Sequence, residues 1–111
     1  MAEVSWYRFD NSSTLSHAGS EGGVTVFDEE HPLGARITFE RDTHTAPFAI
    51  TCGIYGWMMH TRFIGLEREA CSQYDLMRSA LSVLLDRASE SDDGGQQVLM
   101  DGVSAFVETY P

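Results

Sequence analysis

The sequence predicts a single α+β domain over residues 1–111, in which an antiparallel sheet of about five strands is covered on one face by a long amphipathic helix. Three observations support this class. Short stretches rich in aromatic and β-branched residues occupy the first 64 residues, a helical period follows over residues 66–88, and strand parity reverses at Tyr55-Gly56. Strands followed by helices are typical of α+β domains rather than of alternating α/β folds.

The first three strands are predicted from local composition and from the turn formers that flank them. They cover residues 4–9 (VSWYRF), 24–27 (VTVF) and 35–40 (ARITFE), of which the last alternates apolar and polar positions as a strand with one wet face does. The acidic stretch 28–34 (DEEHPLG) is predicted to be a turn. Residues 10–23 form a polar loop that is long for a compact domain, with room for a short irregular strand at 14–17.

Residues 48–64 (FAITCGIYGWMMHTRFI) are predicted to form a hairpin with Tyr55-Gly56 at its tip. Large apolar residues stand at even positions before the tip and at odd positions after it, and successive side chains of a strand point to opposite faces. A two-residue turn would pair Ile54 with Trp57 and would unite the two apolar sets on one face. His60 and Arg62 would then share the opposite, exposed face.

The helical part of the chain begins after the hairpin. Apolar residues between positions 66 and 88 recur at steps of three and four, which predicts one amphipathic helix: Leu66, Ala70, Tyr74, Met77, Leu81, Leu84, Leu85 and Ala88. The polar segment 89–97 ends it. Residues 98–110 also show helical spacing and favour a second, short helix. Gly102 and the valines are also compatible with a strand in this segment.

The charge of the chain restricts its partners. Seventeen acidic residues stand against seven basic ones, all of them arginine, and the formal net charge is −10. Such a surface suits a basic protein partner, whereas nucleic acid is not expected, because binding to phosphates requires a basic stripe. No apolar run approaches the roughly 20 residues of a membrane span, and the N-terminus lacks the pattern of a secretory signal. A cytoplasmic protein without membrane contact is expected.

Cofactor and metal chemistry are not expected from the residue patterns. Cys52 and Cys71 have no CxxC spacing and are expected to be free, buried thiols. His31 follows three acidic residues, but such runs usually form a solvated turn, and the four histidines lack the spacing of metal ligands on a helix. The motifs GxSxG, HExxH, GxxxxGKS and GxGxxG are absent from the chain.

The residues singled out as ligand or interface candidates all belong to the hairpin. His60 and Arg62, two apart on a strand, project to one side and could place a general base beside an anion clamp, with Tyr55 within reach. The same arrangement also fits a solvated sheet face or an interface. Met58 falls on the face opposite Met59, so part of the apolar surface must lie outside a single-layer core, and such surfaces often mark interfaces or ligand grooves.

Two functional hypotheses follow from these patterns. The first is a non-catalytic protein-interaction domain, of an inhibitor or immunity type in one version, that self-associates as a homodimer through the outer sheet face or an edge strand. The alternative is a small enzyme or ligand-binding protein with a pocket between sheet and helix that uses His60, Arg62 and Tyr55. The absence of catalytic motifs favours the first hypothesis.

Overall fold

The structure, a computed structural model that describes residues 6–92 and 94–111, has a five-stranded antiparallel sheet and two helices. The strands are β1 (Tyr7–Arg8), β2 (Val24–His31), β3 (Ala35–Arg41), β4 (Phe48–Ile54) and β5 (Met58–Ile64). The helices are α1 (Glu67–Ser89) and α2 (Gln96–Thr109). The predicted α+β class is therefore confirmed. No helix of the described chain combines the length and the apolar character that a membrane span requires.

The sheet is a meander in which each strand pairs with the next, in the order β1-β2-β3-β4-β5. Antiparallel neighbours connected by short turns need no crossover, so chain order becomes spatial order. Both helices follow the last strand and lie on one side of the sheet, here called the inner face, which carries Ile37, Ile50 and Cys52. The opposite side, here called the outer face, carries the directly paired residues Thr38, Thr51 and Thr61.

The core lies between the inner face and α1. The predicted apolar stripe of the helix is buried along its length, and Met77 and Leu81 are fully inaccessible. Leu66 is the exception, because it precedes the first helical residue and is 69% exposed. The second helix is also confirmed, and it buries Leu99 and Phe106. At about 25 cal/mol per Å² of apolar surface, each fully buried large side chain contributes about 2 kcal/mol, so this stripe fixes α1 on the sheet.

Strand β2 is longer than predicted, because residues 28–31 continue it instead of turning. Phe27, Glu29 and His31 point to the inner face, while Asp28 and Glu30 point to the outer face. Polar side chains persist in a strand where distant partners satisfy them, and here Arg36 binds Asp28 while Tyr74 and Arg78 bind Glu29. The turn follows at residues 32–34.

The register of the hairpin is one residue away from the prediction. Ile54 pairs with Met58 and Cys52 with His60, so the loop holds three residues, Tyr55 to Trp57. The Trp57 N–H donates to the Ile54 carbonyl at 2.9 Å, and Gly56 supplies the left-handed backbone, with φ at 82°, that this turn requires.

This shift moves every side chain of β5 to the other face. Met59 and Phe63 lie on the outer face, and the predicted union of the two apolar sets is wrong. His60 and Arg62 lie on the inner, helix side instead of on an exposed face. On the inner side they stand between Met58 and Ile64, which pack on the core, and on the outer side Met59 and Phe63 flank Thr61.

The N-terminal part of the chain differs from the prediction in two further respects. Of the first predicted strand, Tyr7–Arg8 pairs with β2, and the positions before residue 6 lie outside the described residues. Residues 14–17 form turns rather than a strand. The loop joins the start of β2 through a bridge between Ala18 and Val24 and through backbone bonds of Ser16 and His17 with Thr25.

The two cysteines occupy different environments. Both thiols are free, as predicted, and Cys52 is buried in the core. Cys71 is exposed, contrary to the prediction, because it follows the buried Ala70 on α1 and points away from the sheet.

Candidate functional site

The structure separates the predicted site residues into two groups. His60 and Arg62 meet the C-terminal end of the chain: His60 Nε2 lies 2.5 Å from the Tyr110 carbonyl oxygen, and Arg62 Nη1 donates to the Pro111 carbonyl at 3.1 Å. Tyr55 lies at the tip of the hairpin, where its hydroxyl donates to Glu30 Oε2 at 2.6 Å. A general base, an anion clamp and Tyr55 are therefore not brought together between sheet and helix.

Met58 is partly buried against the core and adjoins the hairpin tip. Its neighbour Met59 is 84% exposed on the outer face, and Phe63, four residues later on the same face, is 40% exposed. The predicted surplus of apolar surface is thus present, although Met59 and Phe63 carry it instead of Met58.

A cavity of about 680 Å³ opens on the outer face of the sheet. Residues 14–20 of the long loop form one side of it, the outer face of β3 and β4 forms the floor, and the hairpin tip forms the other side. Gly53 pairs with Arg36 on one side and Met59 on the other. Because glycine has no side chain, the outer face has a gap between the side chains of Arg36 and Met59.

An ion pair stands at one side of this cavity. Arg36 binds Asp28 through two parallel hydrogen bonds, from Nε to Oδ1 at 2.9 Å and from Nη2 to Oδ2 at 2.7 Å. Thr14 donates a third bond to Asp28 Oδ2 at 2.8 Å, and the Phe9 ring covers the guanidinium at 3.6 Å. The hydrogen bonds with Asp28 raise the pKa of Arg36 above its ordinary value.

A second carboxylate holds the loop on the sheet. Glu40 is 1% exposed and accepts from the backbone N–H groups of Glu21, at 3.2 Å, and Gly23, at 3.1 Å. The loop passes so close that a Cβ at Gly19 would lie 2.3 Å from Glu40 Cδ, so any other residue at this position would displace the Glu40 side chain. Glu40 therefore fixes the side of the cavity that the loop supplies.

The hairpin tip is tied to the sheet through Glu30. This carboxylate accepts from the hydroxyls of Tyr55 and Tyr7, at 2.6 and 2.8 Å, and the two bonds lower its pKa. Partial burial, together with the bond to Glu30, raises the pKa of Tyr55 to about 12. Tyr55 is therefore a neutral hydroxyl at physiological pH, which suits a positioning residue rather than a base.

Sequence patterns did not indicate Arg36, Asp28, Glu40 or Trp57 as site residues. Their only local signal is the alternation of β3, which places Arg36, Thr38 and Glu40 on one face. Asp28 joins them because β2 continues beyond its predicted end, and the loop joins through backbone bonds that leave no sequence pattern.

The donor groups of the outer face do not form a metal centre. Among residues 6–92 and 94–111, no group of three or more histidine, cysteine or carboxylate side chains is placed to hold a metal ion.

Comparison with known proteins finds no matching family model, no matching curated protein and no matching solved structure.

Proposed function

We propose that this protein is a non-catalytic protein-interaction domain that forms a homodimer by pairing β5 of one copy with β5 of another. The observation that carries the proposal is the state of this strand. It is the last strand of the sheet, it exposes Met59 and Phe63, and in the part of the chain that the structure describes no strand pairs with its other edge. Open apolar edges recruit another strand unless they are covered or charged.

The sequence of β5 is self-complementary in one register. An antiparallel pair centred on Thr61 uses all seven residues of the strand and sets Met59 of one copy beside Phe63 of the other, twice in each dimer. A thioether against an aromatic ring is a favourable contact. His60 and Arg62 of the two copies would also meet, on the inner side, where each is already bonded to a backbone carbonyl.

The charge distribution supports a second copy at this edge. Residues 43–66 contain no aspartate or glutamate, although the whole chain carries a net charge of −10. Two copies that approach through β5 therefore bring together the acid-free part of an otherwise acidic molecule, and their repulsion is least there. An exposed edge strand that carried acidic side chains would resist the same approach.

The remaining acidic surface supports a further partner with a basic face, as in an inhibitor or immunity-type protein. We assign the protein to the cytoplasm in this proposal, and its two unpaired cysteines support a reducing compartment.

Charge substitutions on β5 test the dimer and its register together. Met59→Glu and Phe63→Lys should each weaken dimerisation about tenfold or more, because each removes both Met–Phe contacts of the symmetric pair. The double variant should recover much of the loss, since the introduced carboxylate and ammonium then lie side by side across the interface.

Within one copy, residues 59 and 63 lie four positions apart along the strand, too far for the introduced charges to pair. Recovery in the double variant therefore reports contact between copies. Leu76→Glu is the matched control, because it adds the same charge at a half-exposed site on α1. Sedimentation equilibrium gives the dissociation constants. Equal dimerisation in Met59→Glu and wild type, or a double variant weaker than both single ones, would exclude this interface.

A further inference from the structure

We infer that the outer-face cavity is a binding site for an uncharged small molecule with one apolar end and one hydrogen-bonding end. The volume of about 680 Å³ lies within the range of pockets that enclose small ligands, about 300–1,000 Å³. This site lies on the face of the sheet opposite His60 and Arg62, and it shares Met59 with the proposed β5 interface.

Charge compensation inside the cavity determines the class of ligand. The Arg36 guanidinium is matched by Asp28, which is itself 3% exposed and receives a third bond from Thr14. The Glu40 carboxylate is occupied by the backbone N–H groups of Glu21 and Gly23. An anion would meet an arginine that is already neutralised in a chain of net charge −10, and a cation would meet carboxylates that are already bonded. The Glu40 carboxylate has no cationic partner among the described residues, but it is 1% exposed and accepts from backbone N–H groups, so a cation gains no accessible counter-charge there. An anion gains none at Arg36, because Asp28 already pairs with it.

The walls supply the two kinds of contact that an uncharged amphipathic molecule needs. The hydroxyls of Thr38 and Thr51 line the floor. Thr38 already donates to the Thr51 carbonyl at 3.4 Å and can accept from a ligand, while the Thr51 hydroxyl, which bonds Thr61 at 3.0 Å, can donate to a ligand when Thr61 donates to it. The opposite side is apolar, because Trp57 and Met59 line it. These side chains are 41% and 84% exposed. Burial of these side chains by a ligand would contribute the main favourable term.

The cavity is also preorganised on its loop side. Glu40 holds the loop through backbone bonds, Asp28 holds Thr14, and Glu30 holds the hairpin tip through Tyr55. A ligand therefore does not have to order these segments on binding, and less of the interaction free energy is lost in closing the site.

Three dyes of similar size and different charge test the site: uncharged Nile red, anionic anilinonaphthalene sulfonate and cationic thioflavin T. We expect saturable binding of one Nile red per chain, at least about tenfold tighter than either charged dye. Trp6→Phe leaves Trp57 as the only tryptophan, so quenching of its emission reports occupancy directly. Tighter binding of either charged dye would overturn the ligand class.

A pair of variants locates the site. Thr51→Phe fills the floor of the cavity and should weaken Nile red binding about tenfold or more, whereas Thr61→Val, at a position outside the lining, should change it less than about threefold. Both variants lose the same hydroxyl bond between Thr51 and Thr61. Unfolding by urea verifies that each is folded. Binding that survives Thr51→Phe unchanged, or that Thr61→Val abolishes equally, would contradict a filled cavity as the cause.

Discussion

His31 is buried on the inner face, and one of its ring nitrogens has no hydrogen-bond partner within residues 6–92 and 94–111. It is 1% exposed, its Nδ1 accepts from the Leu33 backbone N–H at 3.1 Å, and the Trp6 ring packs edge-on against it at 5.1 Å. Because Nδ1 accepts, Nε2 carries the hydrogen, and among the described residues it has no hydrogen-bond partner. Burial lowers the pKa of His31, and Asp86 on α1 offsets this in part.

The lowered pKa makes the stability of the fold depend on pH. The unfolded chain binds a proton at His31 with the ordinary pKa of about 6.5, and the folded chain binds it less readily, so the stability is full above that pH and falls as the pH drops below it. Urea unfolding at pH about 7.5 and about 5 should show a smaller loss for His31→Gln than for wild type. His17→Gln, at an exposed position, is the control. Equal losses in His31→Gln and wild type would rule out His31 as the source.

The two thiols should differ in reactivity. Burial raises the pKa of Cys52 to about 12, so its thiolate is scarce and shielded, whereas Cys71 is exposed on α1. Iodoacetamide at mildly alkaline pH should therefore modify one thiol per folded chain, at Cys71, and both thiols in urea. Mass spectrometry of the digested protein assigns the site. Fast modification of Cys52 in the folded protein would contradict its place in the core.

At the scale of the elements, α1 is the support on which the sheet depends. Leu81 is fully buried at the centre of its apolar stripe. Leu81→Asp should destabilise the domain by about 4 kcal/mol or more, because a buried carboxylate finds no partner there. Val83→Asp, two residues away and 57% exposed, should cost less than about 1 kcal/mol. Thermal unfolding followed by circular dichroism compares them, and similar melting of Leu81→Asp and wild type would refute the packing.

The helices could be predicted from the sequence because their period is a local property. Seven of the eight apolar positions predicted for α1 are buried, since one face of that helix meets one sheet. The hairpin register could not be obtained in the same way. A loop of two residues and a loop of three around Tyr55 and Gly56 both allow the bond from the Trp57 N–H to the Ile54 carbonyl. They differ in whether Trp57 or Met58 pairs with Ile54, and that choice reverses the faces of β5.

The candidate site could not be predicted from the sequence for a related reason. Asp28 and Arg36 pair across two strands, and Glu40 binds backbone groups of a loop that precedes it by almost twenty positions. Nonlocal bonds of this kind follow from the pairing of strands, so they become visible only when the register is known. The apolar surplus of the hairpin was visible in advance, because it depends on composition alone.

At the scale of the whole molecule, the two faces of the sheet have different roles. The inner face is covered by helices and carries the stability of the domain, while the outer face holds a preorganised cavity and ends in an open edge. The acidic residues lie outside the segment 43–66, so β4 and β5 are the part of the sheet where another copy meets least repulsion. Both proposals concern surfaces that the helices do not cover, the outer face and the open edge of β5.

The β5 dimer can be tested by the solution mass of the wild-type protein, measured by light scattering over a range of about 5 to 200 μM. We expect a mass that rises with concentration from the 12.3 kDa of one chain toward twice that value, 24.6 kDa. Met59→Glu should remain near 12.3 kDa over the same range. A wild-type mass that stays at 12.3 kDa at every concentration would contradict the dimer and the function proposed for β5.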